Sequence, residues 1–181
     1  GGGSPLLING ILEVNSSFTF AGSSSKTFRN GIRGTATLTQ NTSSDNFNIT
    51  ASDAILGGSS LQIILNKPLN LSSSTIIPAG AKVTITGGNV NNNSAAGIFT
   101  INGLLDMTDQ QITNTNGTII VNGTYRTSIS GGFSYGASYT NSSIPSGNIT
   151  VNPGSTIELY SLNGQGLNRR YDFADLIFSG G

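Results

Sequence analysis

The chain has 181 residues, eight basic and eight acidic side chains, and no formal net charge, so it fits one domain and lacks the basic excess that marks a nucleic-acid binder. It contains no cysteine and no histidine, which excludes disulfides, thiolate chemistry, the usual neutral-pH general base and the commonest transition-metal ligand. No apolar run approaches the roughly 18 residues that a membrane-spanning helix needs, so no membrane insertion is expected.

Gly, Ser, Thr and Asn make up about half the chain, far above ordinary globular usage. Ile, Leu, Val and Phe nevertheless alternate with other residues along its length, which disordered sequences do not do. The core this implies is narrow and shared between neighbouring repeats. In chain order, residues 5–21 form a first group of strands with Asn9 at a corner. Residues 22–34 read as a polar loop, whose Lys26, Arg29 and Arg33 make the most basic stretch and are expected to be solvated loop charges. Thr35 to Thr39 and Phe47 to Thr50 are strand candidates. The Thr35, Thr37 and Thr39 row resembles the threonine rows with which flat solenoid faces order water, although β-branched residues are common on any exposed strand face. Ala54 to Leu71 and Thr75 to Val90 hold further coils, and Asn89 to Ser94 reads as a polar loop.

The central stretch gives the fold. Gly97-Ile98-Phe99-Thr100-Ile101-Asn102-Gly103 recurs as Gly117-Thr118-Ile119-Ile120-Val121-Asn122-Gly123, and its period of two marks strand, not helix. An isolated Asn-Gly between such runs would suggest a hairpin. A repeat of about 20 residues held in one register suggests a solenoid, in which Asn-Gly is a corner and the next copy stacks in parallel. The pattern apolar-x-apolar-Asn-x-x-apolar-x-apolar also fits around Asn9 and Asn66. The gaps 66−9=57, 102−66=36 and 122−102=20 read as near three, two and one periods. The expectation is an all-β fold, a parallel β-helix (β-solenoid) with coils of about 20 residues, spanning 1–181 as a single segment; repeats of β-sandwich type are the alternative. Asn9, Asn66, Asn102 and Asn122 are expected at structural corners, where Asn tolerates left-handed backbone and bonds from coil to coil. A looser copy at Ile149 to Leu159 carries a Pro153-Gly154 corner that matches Pro78-Ala79-Gly80.

Residues 128–146 read as an insertion, because Gly117 maps to Gly147. Its Phe133, Tyr135 and Tyr139 form a possible interaction loop for sugar rings or a protein partner, or they lie over the adjacent coil. Leu176 to Phe178 reads as a strand with Asp175 at its start. A glycosidase needs two carboxylates about 5 to 10 Å apart. Asp106 and Asp109 are the only such pair near the repeat core, and Asp106, between Leu105 and Met107, is expected to point outward into solvent. Neither a calcium-loop motif nor the acid and His, Lys and Arg clusters of pectin-cutting β-helices occur. No enzyme activity, cofactor or metal is therefore expected.

Ser155-Thr156-Ile157-Glu158-Leu159-Tyr160 through Gly164-Gln165, then Tyr171 and Asp175-Leu176-Ile177-Phe178-Ser179-Gly180-Gly181, resembles a repeat found in large surface proteins of the Bacteroidota. Asp175 stands where that repeat has Asn, and Asn168-Arg169-Arg170 is an unusual spacer. The Ile-Asn-Gly coils resemble the same repetitive adhesins and autotransporter passengers. The resemblance implies a secreted or surface-anchored bacterial segment with a structural or adhesive role. Its expected partners are other copies or flanking repeats end to end, and surface glycans. Carbohydrate-binding, carbohydrate-active and ice-binding modules are the alternatives. Because the end and start of the chain fit as consecutive pieces of one such pattern, the chain is expected to be one unit of a longer repeat array or filament.

Overall fold

The computed structural model describes residues 4–41, 46–92, 94, 96–114, 117–133, 141–145, 148–162, 165 and 175–180, with only the backbone of Asn114. The first coil is β1 (Leu6–Ile8), β2 (Leu12–Val14) and β3 (Phe18–Phe20). The second is β4 (Lys26–Phe28), β5 (Gly31–Gly34) and β6 (Thr37–Gln40), and the third β7 (Phe47–Ile49), β8 (Ala54–Leu56) and β9 (Gln62–Leu65). The fourth is β10 (Leu69–Leu71), β11 (Thr75–Ile77) and β12 (Lys82–Ile85), and the fifth β13 (Val90–Asn92), β14 (Ile98–Ile101) and β15 (Leu104–Asp106). The sixth is β16 (Ile112–Asn114), β17 (Thr118–Val121) and β18 (Thr124–Thr127); β19 (Asn148–Val151), β20 (Thr156–Leu159) and β21 (Asp175–Phe178) follow.

Through β18 every third strand joins the same sheet, and every pairing is parallel. One sheet runs β1-β4-β7-β10-β13-β16, the second β2-β5-β8-β11-β14-β17-β19, the third β3-β6-β9-β12-β15-β18-β20-β21. The chain is a β-solenoid of about seven turns of about 21 residues. Parallel pairing of strands this short excludes both the hairpin and the sandwich readings, since each needs antiparallel neighbours. Among the described residues there is no helix.

Alternation within each three- or four-residue strand sends one side chain inward and the next outward. Phe99 lies over Ile119, Ile101 over Val121, and Leu105 over Tyr125, and all six are fully buried. The longest column runs Phe18, Leu38, Ile63, Val83, Leu105, Tyr125, Ile157, Leu176 along the third sheet and is buried from Leu38 to Ile157. At the corner between the second and third sheets, Gly80 and Gly154 turn the chain with φ of 82° and 85°, in the left-handed region where glycine carries no Cβ penalty. The two Pro-x-Gly-type corners therefore occupy one place in the coil.

Three local readings are corrected. Residues 22–34 are not a loop but contain β4 and β5, and Lys26 is an inward residue of the column Leu6, Lys26, Phe47. It is 4% exposed and its ammonium donates to the carbonyls of Gly22 and Ser24, which satisfy a charge that apolar neighbours could not. Asn89 to Ser94 likewise contains β13. The long aliphatic stem of Lys26 and the run of three Asn after Val90 hid both strands, because each puts a polar residue at an inward position.

The third correction concerns phase. Asn102 and Asn122 share the corner between the second and third sheets, but Asn9 follows β1 and Asn66 follows β9. The three corners of one coil are different places with the same local pattern, a strand, a polar turn and a strand. With coils of about 21 residues, the gaps 66−9=57 and 102−66=36 are near two and two-thirds and one and two-thirds periods, not three and two.

Candidate functional site

The outward side chains form rows along the solenoid axis, one residue per coil. In a parallel stack each outward residue sits one strand spacing, about 4.8 Å, from its equivalent in the next coil. Side chains of the right length can then bond coil to coil. Asn122 Nδ2 donates to Asn102 Oδ1 at 2.7 Å, and Asn152 Nδ2 donates to Asn122 Oδ1 at 2.6 Å. This corner ladder is exposed, and below it the Gly123 and Gly103 amides donate to the carbonyls of Ile101 (2.8 Å) and Ile77 (3.1 Å). Asn66 lies instead against Gly87, where any Cβ would come within 2.2 Å of its Oδ1. Among the described residues Asn9 joins the stack through its carbonyl, which accepts from Asn30 Nδ2 at 2.9 Å.

A second amide ladder covers the first sheet. Asn91 Nδ2 donates to Asn70 Oδ1 (2.7 Å) and Asn70 Nδ2 to Asn48 Oδ1 (2.9 Å). Asn48 Nδ2 reaches Thr27 Oγ1 (3.4 Å), and Thr113 Oγ1 donates to Asn91 Oδ1. Sequence reasoning missed this ladder, although its signal was present. Phe47-Asn48-Ile49, Leu69-Asn70-Leu71 and Val90-Asn91-Asn92 place an Asn at the outward position of a three-residue strand, at intervals of 70−48=22 and 91−70=21.

The third sheet carries a row of three charges. Asp106, Arg126 and Glu158 are register partners on β15, β18 and β20. Arg126 Nη1 is 3.1 Å from Asp106 Oδ2, and its Nε is 2.6 Å from Glu158 Oε2. The other Asp106 oxygen accepts from the Tyr160 hydroxyl (2.7 Å) and the Thr108 amide (3.1 Å), and the guanidinium lies 4.5 Å from the Tyr160 ring centroid. Asp106 does point outward, as its alternation requires, but it is only 6% exposed because Arg126 and Tyr160 close over it. Burial, and then the Asp106 carboxylate, push the Tyr160 hydroxyl up to about 12. Asp109 bonds locally to Gln110 and Thr108. A smaller ion pair joins Arg33 to Glu13 at 3.1 Å between register partners. The Asn15 amide and then Arg33 hold the Glu13 carboxyl below its usual range.

The basic stretch is thus dispersed, with Lys26 inside and Arg33 paired. The threonine row is short: Thr19 and Thr39 are neighbours, but Ile64 follows, then Thr84, then the ion row. Phe133 is 1% exposed and packs edge-on against Tyr125, with centroids 5.1 Å apart; the Tyr125 hydroxyl hydrogen-bonds Ser143 Oγ. That ring closes the core beside the sixth coil and offers no stacking face. Tyr135 and Tyr139 lie outside the described residues.

No known protein-family model matches the chain, and neither the curated proteins nor the solved structures yield a match.

Proposed function

We propose that the chain is a structural segment of a bacterial extracellular surface protein, a stalk or filament piece that holds or forms an adhesive surface. The observation that carries this reading is the use made of the outward polar groups. Asn, Thr, Arg, Asp and Glu side chains bond along the axis, coil to coil, on the first sheet, the third sheet and one corner. Such rows resist sliding and peeling of one coil from the next, which is what a load-bearing rod requires. The composition and the resemblance to surface repeats favour an extracellular place. Antibodies raised against the chain should label intact cells of the source organism. Labelling confined to permeabilised cells would defeat the proposal.

The partner reading is end-to-end stacking on another coil of the same kind. In the first coil Leu7, Ile11 and Phe18 are 55%, 43% and 50% exposed, and on β21 Ile177 and Phe178 are 45% and 64% exposed. Phe18 and Phe178 belong to inward columns of the third sheet that are buried elsewhere along the stack. A heterologous contact of this kind grows along the axis. Sedimentation over a concentration series should show rods lengthening with concentration; a compact monomer throughout would refute it.

One observation favours a second reading, a water-ordering or glycan-binding face. The second sheet presents the outward row Ile55, Ile76, Thr100, Ile120, Thr150, uncharged and wholly β-branched, across five coils. Thermal hysteresis lost on Thr100→Lys would support it, and its absence in the native chain would dismiss ice.

A further inference from the structure

At the corner between the third and first sheets the stack opens into a cleft of about 310 Å³. Its walls are Asn89, which follows β12, Asp109 and Gln111, which follow β15, and Ile129, Ser130 and Asn141 of the inserted segment after β18. Coils precede and follow it, so the stack itself sets these walls. Hydrogen bonds fix the frame. The Gln111 amide nitrogen donates to Asn89 Oδ1 (3.2 Å), and its Nε2 donates to the Ser142 carbonyl (2.8 Å). The Gly132 amide donates to the Ile129 carbonyl (2.9 Å), and the Ser143 amide to the Gly132 carbonyl (2.8 Å). A Cβ on Gly131 would come within 2.1 Å of the Asn141 carbonyl oxygen, so only glycine lets the two legs of the insertion meet. Beside the cleft Thr108 has a φ of 48°, an outlier for a β-branched residue. Its hydroxyl donates to the Ile85 carbonyl (2.6 Å) and its own carbonyl accepts from the Ser128 amide (2.7 Å). These bonds hold the strained turn that carries Asp109 into the cleft. Strain of this kind collects at ligand clamps.

We propose that this cleft is a binding site for a neutral sugar unit. Among the described residues, Asp109 Oδ2, Asn89 Nδ2, the Ser130 hydroxyl and the Asn141 side chain have no partner. Together they offer a charged acceptor, an amide donor and two groups that both donate and accept. A sugar hydroxyl also donates and accepts at once, so adjacent hydroxyls on a ring match such a set. Other ligand classes fit worse. Among the described residues no Lys or Arg lines the cleft, so an anion would meet only the like charge of Asp109. Ile129 is the one apolar residue of the six walls, too little for an apolar ligand. A single carboxylate falls short of the oxygen shell that calcium takes. The volume lies near the lower end for ligand clefts, about 300 Å³, and suits a ring rather than a length of polymer. The site binds without cleaving. Asp106 is turned to Arg126 and Tyr160, which leaves Asp109 without the second carboxylate that glycoside hydrolysis needs. The inference goes beyond the stalk reading and is independent of it.

The test is saturation-transfer difference NMR, which reads the ligand and so tolerates assembly of the chain. The probes are cellobiose, lactose, maltose and di-N-acetylchitobiose, with galacturonic acid as the anionic counterpart. At least one of the neutral disaccharides should bind, with a dissociation constant in the millimolar range and no change on adding EDTA. Asp109→Ala should weaken that binding about tenfold or more, the loss of a hydrogen bond to a charged acceptor. Ser130→Ala, which removes an exposed hydroxyl and leaves the frame intact, should weaken it about fivefold. Circular dichroism melts check that both variants fold, and Ser130→Ala decides if Asp109→Ala does not. Thr100→Lys, on the outward row of the second sheet, should leave binding unchanged. No binding by any neutral disaccharide overturns the proposal, as does binding that neither cleft variant weakens. Binding lost on Thr100→Lys and kept in Asp109→Ala moves the site to the second sheet and overturns it too. Tighter binding of galacturonic acid overturns the neutral class, and loss of binding in EDTA overturns direct recognition by these side chains.

Discussion

Replacing Arg126 by Met keeps most of the stem's volume and removes the guanidinium that joins three coils. The native group sits 3.1 Å from Asp106 and 2.6 Å from Glu158, with side-chain exposures of 25%, 8% and 18% for Arg126, Asp106 and Glu158. A fully exposed pair would contribute about 0 to 1 kcal/mol, whereas breaking a fully buried one costs about 3 to 5 kcal/mol. The exposures place this network between those limits, so Arg126→Met should cost about 2 to 3 kcal/mol. For a chain of this size that is a fall in Tm of about 4 to 12 °C. Asp106→Asn alone should cost less, about 1 kcal/mol, because an amide oxygen still accepts from Tyr160 and Thr108. The double variant should be less destabilised than the sum of the singles by about 1 kcal/mol or more, since it removes the uncompensated carboxylate. The cycle is measured by urea unfolding of the four proteins. If Arg126→Met costs under about 0.5 kcal/mol, the row behaves as a solvated surface pair and the argument for an axial lock fails.

Three further outcomes are expected. Asn122→Ala should cost about 0.5 to 1 kcal/mol by urea unfolding, the net value of exposed ladder bonds; a neutral result would mean that the ladder contributes nothing to stability. Ile101→Asp should prevent folding or lower Tm severely, because a carboxylate would enter a column with no partner, and a near-native circular dichroism melt would contradict the packing. Tyr160 has its hydroxyl pushed up to about 12 from an ordinary value of 10.0. Its contribution to stability is therefore complete below pH 10 and is lost as pH rises through about 12. Phenolate absorbance should show two late-titrating tyrosines, because burial also raises the Tyr125 hydroxyl, and further; Tyr160→Phe should remove the earlier of the two, and an unchanged titration would contradict the burial of the Tyr160 hydroxyl.

Alternation at short range was enough to decide the class of fold and part of its register. Phe99, Ile101, Ile119 and Val121 are matched in sequence and stacked in space, and the thirty-residue step from Gly117 to Gly147 in the sequence reappears as Ile119 over Ile149. The strand at Leu176 to Phe178, with Asp175 at its start, was equally legible. Period two and a repeated corner are local properties, so residues a few positions apart carry them. The sequence could not tell which of three corners a given Asn occupies, because each corner is made of the same turn residues, and only the stacking of coils separates Asn9 and Asn66 from Asn102 and Asn122. Nor could it tell that Lys26 points inward to two carbonyls, or that Asp106, outward by its alternation, is covered by Arg126 and Tyr160 from later coils. The two carbonyls that hold Lys26 are local, but its inward place is set by stacking between Leu6 and Phe47, and the cover over Asp106 comes from residues 20 and 54 positions away. Burial and pairing at that range are set by how coils stack, which no window along the chain contains.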